Sequence, residues 1–538
     1  MADAVTLPRP AALLALAVCA LLVLTPVYYW VFSEFPSNSD ASNTFLAAGE
    51  MASGNWRLKG WWWASDPLWT SDLAFEAGLI ALLGHQPLVM ALTAAFDWAG
   101  VVVLSAIATG AGASRARLAW LPVAVILALP ILRNNSPMNL IALASMHMGT
   151  MLYVLAMFLL VPAASRAGGV AALIALDVAT AAAVAGDPLA LVVGVGAIAA
   201  VMSIAAAKQR DRRGFLVVVN VVGAALLGKA AMAWNQAGGG LHLTSTPLTF
   251  VALEDLPRNI YLTIKSFLRL TGSDFFGKDL GEAILYLIRL PFLLAMAWAL
   301  YVAARRFVAY VRAPAGAPRP DLLDQLLLAA AVINIVSGVA SSMLVNIDAA
   351  RYFIPPVIVL AILAGRTVPP TRLAAAYGGL ALGATVVMLG QGYAVARPVP
   401  KLLFPDKQAL ADLLVQHHLR DGYASYWSAS IATVGSHGAA RVRTLAVCTD
   451  RVGCGTAFGK AVPAYLLANQ DWYAGFARRD RPFFVVVDKL DVPQGLPQAP
   501  VTAAFGTPTR RYDLPGYAIE VFDPVTSARA SLPLKAPG

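Results

Sequence analysis

FSEFPSNSDASNTFLAAGEMASGNWRLKGWWWASDPLWTSDL occupies residues 32–73. It follows an apolar run, residues 11–32, and precedes more apolar sequence. A long polar segment therefore sits directly behind the first hydrophobic helix. It carries Asp40 near its start and Trp61, Trp62 and Trp63 in its middle. Of the 538 residues, 59% are hydrophobic and 13% charged. Soluble globular domains carry about 25% charged residues. Apolar runs of about twenty residues recur, each long enough to cross a hydrocarbon core of about 30 Å. The sequence is that of an α-helical polytopic membrane protein.

Apolar spans are expected at 11–32, 87–110, 118–132, 146–164, 169–185, 188–207, 214–234, 283–304, 325–346, 352–366 and 371–394, about eleven transmembrane helices. The first run is too long for the apolar part of a signal peptide, and no small-x-small site follows it. Tyr28, Tyr29 and Trp30 close it as an interfacial aromatic belt does, so it reads as a retained helix. Residues 73–86 read as a helix lying at the outer interface.

With the N-terminus inside, the inner segments hold fourteen basic residues, among them Lys208, Arg210, Arg212, Arg213, Arg305, Arg306 and Arg366. The short outer turns hold Arg133 and Arg351. This bias follows the positive-inside rule. The formal net charge of +10 thus reports orientation in a membrane and not binding to nucleic acid.

An odd number of spans puts the C-terminal region outside. From about residue 396 strand-like runs appear (RVRTLAV, PFFVVVD, YAIEVFD), separated by Gly, Pro and polar residues. Residues 1–395 therefore read as a transmembrane domain with outer loops 33–86 and 235–282, and residues 396–538 as a soluble extracytoplasmic α/β domain. Cys448 and Cys454 lie in that domain and can form a local disulfide in an oxidising compartment. Cys19 sits in the first span as a packing residue. No nucleotide-binding motif serves the outer loops.

Asp40 can accept a proton from a substrate hydroxyl, or it can cap the helix that SNTFLAAGEMASG starts. Gly54 can end that helix. Trp61, Trp62 and Trp63 suit the membrane interface, or a sugar ring stacked on an aromatic face. Asp66 and Asp72 flank another Trp, and Asp72 reads equally as a cap. In NIDAARYFIPP (346–356), Arg351 can hold a phosphate by charge-assisted bonds. It can also snorkel, or pair with Asp348. Arg269 and Lys278, with Lys265 and His242, offer a basic patch to a phosphate or plain solvated surface. His147 can line a cavity or serve structure. Asp187 in GDP (186–188) reads as the cap of the helix that Pro188 starts. Asp97, Asp177 and Lys229 fall inside spans, where ionisable groups mark functional sites by default, and Asp177 can pair with Lys229.

The layout resembles the GT-C superfamily of integral membrane glycosyltransferases, near the protein O-mannosyltransferases and the bacterial lipid A aminoarabinose transferases. The matching pieces are SDASNTFLAAGEMASGN (39–55) and ARYFIPP (350–356), together with the many short spans and the outer C-terminal domain. The resemblance implies a bacterial inner-membrane enzyme. It would move a sugar from a polyprenyl-phosphate donor to a glycan, lipid or protein hydroxyl, with inversion. Asp40 would be the base. Arg351, with Tyr352, Trp61, Trp62, Asp66, Lys278, Arg269 and His147, would bind substrate. The resemblance implies no cofactor and no metal. Many relatives carry two adjacent acids in this loop. Here Ala41 follows Asp40, which leaves Glu34, Asp66 or Asp72 as possible helpers. Two other readings predict different behaviour. A transporter or lipid flippase needs polar groups deep in several spans and two related halves. A non-catalytic envelope scaffold would tolerate changes at Asp40 and Arg351.

Overall fold

The computed structural model describes residues 10–33, 37–110, 147–244, 249–369, 371–372, 376–379, 383, 403–450, 455–473 and 482–523. The expected span 118–132, most of the span 371–394, Glu34, Arg133 and Cys454 lie outside the described residues.

The first apolar run forms α1 (Pro10–Ser33), and the polar stretch behind it forms α2 (Ser39–Ala52) and the short strand β1 (Trp61–Trp63). Then come α3 (Asp72–Leu83), α4 (Leu88–Gly110), α5 (Met148–Ala164) and α6 (Val170–Gly186). A π-helical turn (Leu191–Val195) leads into α7 (Gly196–Gln209), followed by α8 (Arg212–Ala237) and β2 (His242–Leu243). Next are α9 (Leu256–Leu270), α10 (Leu280–Leu287), α11 (Leu290–Arg312), α12 (Leu322–Ala340) and α13 (Ile354–Thr367), the last entered through a 3-10 turn (Ile347–Phe353). Seven described helices are long and apolar enough to cross a membrane, and α5 and α6 are shorter apolar helices. Two expected boundaries are wrong: the span read as 325–346 ends at Ala340, and the span read as 283–304 starts at Leu290, behind the separate helix α10. Pro291 explains the break, since its ring suits a first turn and not a helix interior.

α4 and α13 are the buried centre of the bundle, and α1 packs against α4 with Leu14 and Leu22 left exposed on its outer side. That is the arrangement of a helix facing lipid. The helix ends sort into two sets. At one end Arg366 pairs with Asp321 at 2.8 Å and with Asp324, and Lys208 donates to Val311 O at 2.8 Å. The other end gathers Asp40, His147, Asp187 and Arg351.

The C-terminal part adds α14 (Pro405–Gln416), β3 (Asp421–Ala424), α15 (Tyr426–Gly435), β4 (Arg441–Val447), β5 (Ala461–Pro463), β6 (Ala468–Asn469), β7 (Phe483–Asp488), α16 (Gln498–Phe505), β8 (Arg510–Asp513) and β9 (Tyr517–Phe522). One sheet runs β5-β4-β3-β7-β9-β8, with β4, β3 and β7 parallel and the other pairs antiparallel. β7 and β9 are buried along their whole length, as expected of strands covered on both faces. Cys448 is disulfide-bonded and Cys19 is free.

A second, small sheet runs β2-β1-β6. It stitches the first outer loop to residues 242–243 on one side and to the C-terminal part on the other. Trp62 pairs with His242 in parallel, and Trp61 with Asn469 in antiparallel register. The expectation that the three Trp lie at the membrane interface or meet a sugar fails for two of them. Trp61 and Trp63 are fully buried in a core that also holds Phe45, Leu58 and Leu73. Successive strand residues face opposite sides, so both odd-numbered rings point into that core. Trp62, on the other face, is partly exposed and stacks on His242 with ring centres 4.9 Å apart.

Candidate active site

α2 sets the position of Asp40. Its N-cap is Asn38, whose side chain accepts from Ala41 N at 3.0 Å. Asp40 therefore does not cap the helix, and its carboxylate is free for other work. It lies in the first turn, where the helix dipole favours a negative charge. Its Oδ1 accepts a hydrogen bond from the Tyr426 hydroxyl, at the start of α15. Burial raises the pKa of Asp40, and the Tyr426 hydrogen bond and the charge of Arg351 offset part of that rise.

Arg351 sits in the 3-10 turn before α13. That turn is capped by Asn346, whose side chain accepts from Asp348 N at 2.9 Å. The guanidinium lies 5.1 Å from the ring centre of Tyr352 and donates to its hydroxyl at 3.3 Å. Its buried Nε makes no hydrogen bond. Its charge acts on both Asp40 and Asp66.

His147 precedes α5 in a left-handed backbone conformation, φ +65°. Its Nδ1 is 2.6 Å from Asp187 Oδ2, and its Nε2 is 4.0 Å from Asp66 Oδ2. Burial opposes its charge, but the charge and hydrogen bond of Asp187, helped by Asp66 and Asp72, raise its pKa to about 9. Asp187 is as expected bonded to the next helix start, accepting from Leu189 N at 2.8 Å, and it also accepts from Thr150 Oγ1 at 2.8 Å. Burial works against its carboxylate, yet His147 brings its pKa below the ordinary value. Burial raises the pKa of Asp66, with His147 and Arg351 pulling the other way. Asp72 is not the cap of α3, a place taken by Ser71. Its carboxylate accepts from Gly149 N at 3.2 Å, and burial carries its pKa to about 6.

The result is a cluster of alternating charge: Asp187, His147, Asp66, Arg351 and Asp40. Tyr352 borders it, its ring centre 6.0 Å from that of His147. Tyr352 also lines a cavity of about 290 Å³ whose other walls include Leu189, Val192, Phe250, Met343 and Leu344. Phe250 is held there by a bridge to Ser341, at the end of α12. A cationic group beside an apolar cavity suits a ligand with an anionic head and a hydrocarbon tail.

The other expected residues lie elsewhere. Arg269 is ion-paired to Asp274 at 3.3 Å, and Lys278 lies over the ring of Tyr286. Trp61 is core and cannot reach a ligand. Among the described residues Asp177 and Lys229 form no ion pair with each other, and Asp177 Oδ1 makes no hydrogen bond. Among the described residues no group of three or more His, Cys, Asp and Glu is arranged to hold a metal ion. Sequence reasoning missed Tyr426 and gave Asp187 only its capping role. Asp187 lies 40 residues from His147 and Tyr426 lies 386 from Asp40, so no local pattern links either pair.

No family model matches the chain, and no curated protein matches its sequence. Among solved structures, ArnT from Cupriavidus metallidurans bound to undecaprenyl phosphate aligns with 97% of this chain and 99% of its own length, at 14% identity and a TM-score of 0.54. The same protein in the apo state aligns with 95% of this chain and 98% of its own, at 14% identity and a TM-score of 0.45. From its first helix to its C-terminal sheet, this chain has the fold of ArnT.

Proposed function

We propose that this protein transfers a sugar from a polyprenyl-phosphate donor to an acceptor hydroxyl at the outer face of the bacterial inner membrane. The chain would cross the membrane about eleven times, with its N-terminus cytoplasmic and residues 396–538 periplasmic. The observation that carries the reading is that the charge of Arg351 acts on Asp40 while its guanidinium lies over Tyr352, which lines the apolar cavity. The ArnT fold, described with undecaprenyl phosphate bound, supports the same class of donor.

The chemistry needs two things that these residues supply. The acceptor oxygen attacks the anomeric carbon while its proton passes to Asp40. The bond between that carbon and the phosphate oxygen breaks with inversion, and the electron pair leaves with the polyprenyl phosphate. The phosphodiester becomes a monoester, so the phosphate gains negative charge as the bond breaks. Arg351, with its unengaged Nε, is the group that stabilises that charge. Asp66 and His147 border the same space. His147 is protonated at neutral pH and adds positive charge beside the donor.

The test uses purified protein in nanodiscs with radiolabelled polyprenyl-phosphate sugars and a membrane extract as the acceptor source. Wild type transfers label. Asp40→Asn lowers transfer by about 10²–10⁴-fold and keeps donor binding. Equal transfer by both forms removes Asp40 from the centre. No binding or transfer across a broad panel favours a transporter or a scaffold.

A further inference from the structure

The soluble part of the chain reaches into the charged cluster at one point. Tyr426 opens α15, is buried, and donates its hydroxyl to Asp40 Oδ1. We infer that Tyr426 is a positioning residue for Asp40, so that the C-terminal domain completes the site by docking on α2. The inference rests on the proposed transferase reading and adds a residue and a domain to it.

Three contacts fix the docking. Ser430, one turn along α15, donates to Asn43 Oδ1 one turn along α2. Asn469 on β6 donates to both Glu50 oxygens, at 3.3 and 3.1 Å. Val434 joins the core formed by Ala41, Phe45 and Trp61. Two helices with matched spacing, 40 and 43 against 426 and 430, thus meet along one face. The Tyr426 ring is held edge-on against Trp427, with ring centres 5.0 Å apart. Its hydroxyl therefore has little freedom, and it fixes one oxygen of the carboxylate.

Such a bond does two things to a base. It holds the rotamer that points the second oxygen at the acceptor. It also stabilises the carboxylate over the acid, which offsets part of the rise in pKa that burial causes. Burial and the neighbouring carboxylate raise the Tyr426 pKa, so the phenol remains a donor throughout the working range. The charge that acts on Asp40 is that of Arg351 from the turn before α13. α3 and α4 also pack on α2, but their carboxyls Asp72, Glu76 and Asp97 act on one another.

The experiment compares wild type, Tyr426→Phe and Ser430→Ala, each as the full chain in nanodiscs. Tyr426→Phe keeps the ring and the docking and loses only the donor. Its expected effect is a fall in kcat of about tenfold or more at nearly unchanged KM for the donor. The acid limb of its pH–rate profile moves to higher pH, because the carboxylate loses a stabilising bond. Ser430→Ala loses a docking bond and leaves the acid limb in place. A second readout needs no turnover: infrared titration of the Asp40 carboxyl, isolated by subtracting the Asp40→Asn spectrum. Its midpoint rises in Tyr426→Phe and not in Ser430→Ala. If the midpoint and the acid limb stay where wild type has them, the proposal is wrong. A shifted midpoint in a protein that transfers no sugar upholds the contact and rejects the transferase reading.

Discussion

His147 keeps its proton because Asp187 lies 2.6 Å from Nδ1 with Asp66 on the other side of the ring. Its pKa rises from the ordinary 6.5 to about 9. A raised folded-state value means that the stabilisation is complete below about 6.5 and is lost as pH rises through about 9. The size is on the order of 3 kcal/mol. The thermal stability of wild type in detergent should fall between pH 7 and 9.5 more steeply than that of His147→Gln; parallel curves would refute the pairing. At Arg351 the expectation concerns binding. Arg351→Ala removes a charge-assisted contact of about 1.5–3 kcal/mol, so donor affinity falls by roughly 10- to 150-fold, read by titration with polyprenyl phosphate. Arg351→Lys restores only part, since an ammonium cannot match the planar fork. Unchanged affinity in Arg351→Ala would place the phosphate elsewhere.

At the scale of elements, the join between β1 and β6 depends on Gly60. Its φ is +82°, its carbonyl accepts from Gln470 N at 2.8 Å, and a Cβ there would lie 2.7 Å from Asn469 Oδ1. Gly60→Ala adds both backbone strain and a clash. It should cost about 1–3 kcal/mol and speed hydrogen exchange in β1, β6 and α15 while α4 and α13 keep their protection. Uniform exchange across all of them would mean that the join is not a separate unit. The same elements show what a sequence can reveal. α1, α4 and α8 were legible because a run of apolar residues is a local property. The strands β4, β7 and β9 were legible from their β-branched and aromatic residues. The break before α11 was missed, although Pro291 marks it: the expected span 283–304 ran through that proline. The burial of Trp61 and Trp63 was not legible, because it depends on partners at 242–243 and 468–469. Asn38 displaced Asp40 as cap, a choice between capping residues two positions apart that composition does not make. Asp40 and Arg351 were singled out because each stands out in its own stretch. Tyr426 stands out in none.

For the whole molecule, two sets of helix ends imply two faces. The end with Lys208, Arg366, Asp321 and Asp324 is the proposed cytoplasmic face, and the end with Asp40 and the C-terminal sheet the outer one. A cysteine placed at Asp412, exposed on α14, should react with a membrane-impermeant maleimide added to intact spheroplasts. A cysteine at Arg305 should react only after permeabilisation. The reverse pattern would invert the topology and end the donor assignment. The separation of Asp40 and Tyr426 by 386 residues also has a meaning in time. A ribosome adds about 5–20 residues per second, so roughly 20 to 80 seconds pass between the synthesis of the base and that of its hydrogen-bond donor. During that interval the loop has been made, but neither α15 nor β6 exists to close it. If Tyr426 positions Asp40 as proposed, the site stays incomplete until α15 and β6 have been made.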